Sequence, residues 1–214
     1  MTQLAFDPEE AVAALRRADR ALARVIKNAG PFTHRPEKVQ SPFQALLRAI
    51  VYQQLSGKAA ATILGRVKLL YPARSGLKAE AILATSDERL RSAGLSRGKV
   101  LALKDLAAKT LDGTVPTLAR LKKMDDHEIV SRLVQVRGIG PWTVEMLLIF
   151  SLGRPDVLPT SDFGVRKGFM LTYGMQDLPT PKELLAHGER WRPYRSVASW
   201  YLWRAVDLSR ATAR

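Results

Sequence analysis

Apolar residues recur at helical spacing along nearly the whole chain, with Ile129, Leu133 and Val136 as one clear run. No stretch keeps a convincing period-2 alternation, so the pattern predicts an all-α fold. Helix starts are equally readable. Ser41-Pro42-Phe43-Gln44 and Thr180-Pro181-Lys182-Glu183 each combine an N-cap, a proline at the first helical position and a capping-box partner. Thr85-Ser86-Asp87-Glu88 and Asp125-Asp126-His127-Glu128 read as two more boxes, and Gly30, Gly94, Gly113 and Gly174 mark ends. Helices are therefore expected near 8–28, 42–53, 57–71, 79–84, 86–93, 97–111, 117–122, 126–136, 141–151, 162–172, 181–190 and 194–210. No low-complexity linker and no obvious domain break interrupts them.

One interruption carries more than the rest. The run through Val136 breaks at Arg137-Gly138-Ile139-Gly140 and restarts with Pro141-Trp142-Thr143. Two glycines allow a tight turn with positive φ, and Pro141 suits the first position of a new helix. That helix opens with amide N–H groups and a positive dipole end, with little side chain in front of them: a phosphate site built from backbone. On the glycines alone, a plain helix–helix turn is the commoner reading. Twenty positions after Trp142 comes a lone carboxylate, Asp162, preceded by Thr160 and Ser161 at another helix start.

Charge and composition narrow the partner. The 214 residues can bury one sizeable core or two small lobes. A net charge of +14, spread along the chain without a basic tail, suits a polyanion such as DNA or RNA. The absence of cysteine excludes disulfides and thiolate metal sites, and His34, His127 and His187 are too scattered for a metal cluster. No metal held by side chains is expected. The N-terminus lacks a signal-peptide pattern and no apolar run approaches a membrane span of ~20 residues. The expectation is a cytoplasmic protein, associated with the nucleoid through DNA, with no membrane contact.

The hairpin Val136-Arg137-Gly138-Ile139-Gly140-Pro141-Trp142-Thr143 and the acid in Pro159-Thr160-Ser161-Asp162 resemble the helix-hairpin-helix and Gly/Pro-Asp element of base-excision DNA glycosylases. Within that superfamily the chain is similar to the DNA-3-methyladenine glycosylase II branch. Two further blocks carry the likeness: Ile50 to Ala60, and Trp191-Arg192-Pro193-Tyr194-Arg195-Ser196 running to Trp203. It spans roughly residues 40 to 210. The resemblance implies two helical lobes, about 37–158 and about 1–36 plus 159–214, with the active site in the cleft between them. It also implies the compact form, lacking the α/β region that larger members carry before the helices.

For the site, the resemblance implies that Asp162 is catalytic, stabilising the sugar as positive charge develops and orienting or deprotonating water. Its ordinary alternative is a plain N-cap. Strand-cutting relatives place a Schiff-base lysine where this chain has Trp142, so water becomes the acceptor and no lyase activity is expected. Lys58 and Lys167 lie at positions the family does not use in that way. Trp142 and Trp203 match the aromatic pocket that selects a cationic alkylated purine, with core packing the ordinary alternative for each. Phe163 and Met146 stand where larger members show tyrosine, which makes the pocket more apolar. Trp191 and Trp200 are assigned to packing. Gln53, Gln54 and Leu55 match the minor-groove probe, Gln54 at the intercalating position and Leu55 its apolar alternative, while Ser56 caps the next helix.

Gly138, Ile139, Gly140, Trp142 and Thr143 would hold a DNA phosphate through the hairpin backbone. Arg166, Lys167, Arg192 and Arg195 are candidate phosphate contacts, each with a solvated surface role as its alternative. No cofactor is expected; the hairpin carbonyls could share a monovalent cation with a bound phosphate. The expected partner is double-stranded DNA containing alkylated bases, and the expected state a monomer. The function implied is hydrolysis of the N-glycosidic bond of a flipped alkylated purine, leaving an abasic site in base excision repair. Two rivals remain at this level: a non-catalytic helix-hairpin-helix DNA-binding module, and a glycosylase acting on other damaged bases.

Overall fold

The computed structural model describes residues 4, 6–37, 41–72 and 76–212. All regular structure among them is helical. In chain order the helices are α1 (Pro8–Ala18), α2 (Arg20–Ala29), α3 (Pro42–Tyr52), α4 (Gly57–Leu69), α5 (Ala79–Ala84), α6 (Asp87–Ser92) and α7 (Arg97–Leu111). There follow α8 (Leu118–Leu121), α9 (Asp126–Leu133), α10 (Pro141–Phe150), α11 (Phe163–Tyr173), α12 (Pro181–Gly188) and α13 (Arg195–Thr212), with a 3-10 turn at Glu189–Trp191. The chain forms two compact units, the first Met1–Lys38 with Leu148–Arg214, the second Val39–Leu147. Residues 148–158 thus group with α11–α13. Phe150 stacks on Trp203 at 5.4 Å, and the Ile149 carbonyl meets His34 Nε2 at 3.3 Å.

The helix expected over 8–28 is two helices, broken at Asp19. This residue takes an extended conformation (φ −150°, ψ 107°), and its Oδ1 accepts from the amides of Ala21 and Leu22, each at 3.0 Å. Its Oδ2 accepts from Trp191 Nε1 at 3.0 Å and from the Tyr173 hydroxyl, and meets His187 Nε2 at 3.1 Å. Aspartate competes well for backbone amides and seldom stays inside a helix. Here three side chains from distant segments hold it in the break, which periodicity cannot show. Burial alone would raise this carboxyl, but donation from His187, Tyr173, the Leu22 amide and Trp191 outweighs it and holds Asp19 well below the usual carboxylate range. Burial, with the Asp19 charge alongside, pushes the Tyr173 hydroxyl well above its ordinary value.

In this first unit Leu15, Leu22, Ile26, Trp191 and Tyr201 are fully buried. Truncating any large one to alanine costs about 2–5 kcal/mol. Helices α11 and α13 meet backbone to backbone at Gly168, where a Cβ would stand 2.0 Å from the Leu202 carbonyl oxygen. No side chain fits there, so Gly168 sets how closely the helix that follows Asp162 lies on α13.

In the second unit α3 and α5 both pack on α7, burying Leu46, Leu47, Ile50, Ile82, Leu103 and Leu106. The Thr180–Glu183 capping box forms reciprocally, and Ser41 and Asp125 cap as their sequences predict. At the expected Thr85 box the cap is Ser86 instead, accepting from Arg89 N, because the Thr85 hydroxyl is engaged by Ala81 O and Tyr71. Helix α9 ends at Leu133 rather than 136. Gln135 and Val136 bond instead to the carbonyls of Arg132 and Leu133, tightening the chain ahead of the glycines.

Candidate functional site

Two groups of candidate residues emerge, one in each unit. In the second unit, the hairpin between α9 and α10 turns at Gly138, whose φ of +79° falls in the left-handed region. Gly140, expected to share that property, has no positive φ. Its value lies in emptiness: a Cβ there would meet nothing within 4 Å. Its carbonyl accepts from Thr143 N at 3.0 Å and Val144 N at 3.3 Å, starting α10. Ile139 and Thr143 are buried, so their side chains anchor the turn and only their backbone can face a ligand. Among the described residues, the amides of Gly138 and Gly140 donate to no internal acceptor. Val136 O accepts from Ile139 N and Gly138 O from Gln53, leaving each carbonyl one lone pair for a further donor or cation.

The hairpin is braced from α7. Asp105 Oδ2 accepts from the Arg137 amide at 2.6 Å and pairs with Lys109 at 2.7 Å, while Lys109 donates to Gln135 O at 2.6 Å. Burial would raise the Asp105 carboxyl, but the Arg137 amide and Lys109 more than offset it and leave it below the ordinary range. Sequence reading passed over this brace, although an Asp and a Lys four apart on a helix are a recognisable pair.

Beside the hairpin lies the turn between α3 and α4. Gln54 has φ +57°, the one non-glycine residue with positive φ among those described. A side chain in that region costs about 1–2 kcal/mol, so the turn is held by its surroundings. Leu55 is 39% exposed, and Ser56 caps α4 through Ala59 N. Gln53, expected to probe the groove, instead donates from Nε2 to Gly138 O at 2.8 Å. It ties turn to hairpin, beside Gln54 and Leu55. Trp142 is 45% exposed, and Met146 one helical turn later is half-buried.

In the first unit, Asp162 is the N-cap of α11 (φ −68°, ψ 123°). Its Oδ1 accepts from Val165 N at 2.8 Å and from the Trp203 indole N–H at 2.9 Å. Gly164 permits this meeting. A Cβ there would lie 2.7 Å from Trp203 Cδ1 and 3.1 Å from Asp162 Oδ1. Trp203 in turn stacks on Phe150 with the rings 28° apart, and the two line a cavity of about 370 Å³ with Gly164 and Trp200. Phe150 and Gly164 escaped sequence reading because nothing in their local pattern marks them. Phe163, next to the cap, is 66% exposed.

The basic residues chosen as phosphate contacts are engaged within the protein. Arg195 forks onto Asp156 at 2.7 and 3.1 Å and reaches Glu189 at 3.2 Å; Arg192 pairs with Asp156 at 2.6 Å and Glu189 at 2.8 Å. Two cations on two carboxylates leave little net field for an incoming phosphate, so this cluster reads as a lock on the start of α13. Arg166 donates from Nε to Pro179 O at 2.8 Å, and Lys167 rests near Met170 Sδ. Trp191 is fully buried, and Trp200 packs edge-on to Phe32 and Tyr201 under the Arg204 guanidinium. No group of three or more His, Asp or Glu able to hold a metal occurs among the described residues.

Residues 47–193 match the family model described as HhH-GPD superfamily base excision DNA repair protein. DNA-3-methyladenine glycosylase 1 of Schizosaccharomyces pombe is 36% identical over 211 residues, covering 95% of this chain and 92% of that one. The solved structure of the S. pombe 3-methyladenine DNA glycosylase in complex with abasic DNA superposes with a TM-score of 0.79 at 36% identity, covering 91% of this chain and 95% of that one. A DNA-3-methyladenine glycosidase from Bacillus halodurans gives a TM-score of 0.84 at 35% identity, covering 98% and 95% of the two chains.

Proposed function

The chain belongs to the HhH-GPD superfamily of base excision DNA repair proteins, among the DNA-3-methyladenine glycosylases, and from that premise we propose that it releases alkylated purines from double-stranded DNA by hydrolysis. The observation that carries this reading is the Asp162 carboxylate, aimed by Val165 N–H and the Trp203 indole at one oxygen. An alkylated purine is already cationic, so its glycosidic bond breaks with both electrons going to the base. The sugar left behind is positively charged. Asp162 stabilises that charge and takes the proton of the attacking water as the C1′–O bond forms, and the product is an abasic site. No lysine stands at position 142 to form an imine, so the strand stays intact.

The other roles follow the same reading. The hairpin amides hold a DNA phosphate, Gln54 and Leu55 fill the gap left by the extruded base, and Trp203 offers an indole face to the cationic purine. The same role is assigned to Trp142, with Phe163 and Met146 as apolar neighbours. The protein acts as a monomer. No helix among the described residues is long and apolar enough to cross a membrane, and we place the protein in the cytoplasm on DNA. The rival reading as a non-catalytic DNA-binding module gives no use to a carboxylate held by an indole beside an aromatic-lined cavity. The deciding assay is release of 3-methyladenine or 7-methylguanine from methylated duplex DNA, with no strand break before alkali. Retention of the methylated bases would sink the proposal.

A further inference from the structure

Three lysines of α7 perform one task. Lys99 donates to the carbonyls of Val51 and Gln53 at 2.7 and 2.9 Å, Lys104 to those of Leu83 and Thr85 at 3.3 and 2.7 Å, and Lys109 to that of Gln135 at 2.6 Å. These carbonyls lie at or just past the ends of α3, α5 and α9, where intrahelical partners run out and a cation also suits the dipole. Only Lys99 does this at the turn that carries Gln54 and Leu55.

We infer that Lys99 is a positioning residue for base extrusion, fixing the Gln53-Gln54-Leu55 turn from behind so that its tip enters the duplex in one conformation. This rests on the glycosylase reading above. Gln54 sits at φ +57°, a region side chains rarely adopt, and such a residue persists only where its surroundings over-determine it. The surroundings that hold it are Ser56 capping α4 on one side, the Leu55 amide on Tyr52 O at 3.4 Å, the Gln53 amide on Ala49 O at 3.2 Å, Gln53 Nε2 on Gly138 O, and the two hydrogen bonds from Lys99. Of these, Lys99 alone reaches the backbone on the α3 side of Gln54 from another helix. Burial pushes its ammonium below the usual lysine value, consistent with a cation drawn partly out of water to make this contact. Its neighbours Arg97 and Gly98 are exposed, whereas Lys99 is turned inward.

The test compares two DNA duplexes carrying 7-methylguanine, one with the lesion paired to cytosine and one with it in a single-nucleotide bulge, where little unstacking is left to do. Lys99→Met, in the full chain, should lower single-turnover release from the paired lesion on the order of tenfold while release from the bulge changes little. Both rates are read on one preparation, so misfolded protein lowers both and leaves their ratio unmoved. Lys99→Arg, which keeps donors in reach of both carbonyls, should restore most of the ratio. If Lys99→Met gives no cooperative melt, Lys99→Gln, which is shorter and uncharged, takes its place, with a smaller shift expected in the same direction. An unchanged ratio in Lys99→Met, or in Lys99→Gln where it stands in, overturns the inference. So does a salt slope for undamaged duplex that drops by about one, because that marks Lys99 as a phosphate ligand. If the unmodified protein releases nothing from either duplex, the proposed function itself has failed.

Discussion

The hairpin at Gly138–Gly140 and the start of α11 at Asp162 use the same piece of physics in opposite ways. Each precedes a helix whose first amides have no intrahelical acceptor and whose dipole favours negative charge. At the hairpin Gly140 precedes the helix and Pro141 opens it, the space a Cβ on Gly140 would face is empty, and an anion would have to come from outside. At α11 the protein supplies its own anion: the Asp162 carboxylate accepts from Val165 N, and Trp203 takes a second bond to the same oxygen. An open helix start offers its amides to an external anion, in our proposal a DNA phosphate, whereas a filled one fixes a carboxylate. Damage to the first should therefore appear in DNA binding, and damage to the second in the chemical step.

The sharpest break between the regions comes from Asp162→Asn. The amide oxygen still caps α11, so folding and DNA affinity should hold, while single-turnover base release falls on the order of 10²-fold or more. Near-normal turnover would reduce Asp162 to a cap. Gly164→Ala attacks the same site from behind. Its methyl would sit 2.7 Å from Trp203 Cδ1, so the indole must move off Asp162. We expect roughly 10- to 100-fold loss in the rate of release, with binding of undamaged duplex unchanged. A loss of affinity in place of rate would mean that the two regions are not separable.

Trp142→Lys tests the exposed indole beside the hairpin. Preference for cationic over neutral bases should weaken by about 1–2 kcal/mol, measured as a ratio of kcat/KM values. Borohydride present during turnover should trap no covalent adduct with the unmodified protein. Gly138→Val, by contrast, should weaken all duplexes alike, by about 1–2 kcal/mol, since a β-branched residue resists φ +79°. A change confined to damaged DNA would transfer the hairpin from phosphate holding to lesion recognition.

The smallest effect concerns acid stability. The folded-state pKa of Asp19 is depressed, so its stabilising contribution is complete above the unfolded value near ~4 and is lost as pH falls toward the folded one. The melting temperature should therefore decline below about pH 4, and Asp19→Asn should flatten that decline while lowering stability near neutrality. An equal acid slope in both proteins would remove Asp19 from the account.

How much of this was readable beforehand differs with the range of the interaction. Helix starts at Ser41, Asp125 and Thr180 followed from residues within one turn, because a cap and its amide are neighbours in sequence. So did the hairpin, whose Gly-Ile-Gly-Pro order restricts the backbone locally. Contacts across long separations were hidden. Asp19 breaks a periodic run because residues more than a hundred and fifty positions away donate to it. Arg192 and Arg195, candidate phosphate contacts with a solvated surface role as the alternative, both pair with Asp156, more than thirty positions away. Gln53, expected in the probe, also bonds to Gly138 O, eighty-five positions away.

By itself, the sequence determined the helical fold, the family, the open hairpin and the position of the carboxylate. These depend on periodicity, on capping chemistry and on glycine and proline restricting the backbone, all of which act over a few residues. Tertiary structure alone decided that Trp203 aims Asp162, that Gly164 makes room for it, and that α7 grips the ends of α3, α5 and α9 with lysine. Those arrangements join side chains to partners far along the chain. A residue's type limits what bonds it can make, and only packing chooses the partner.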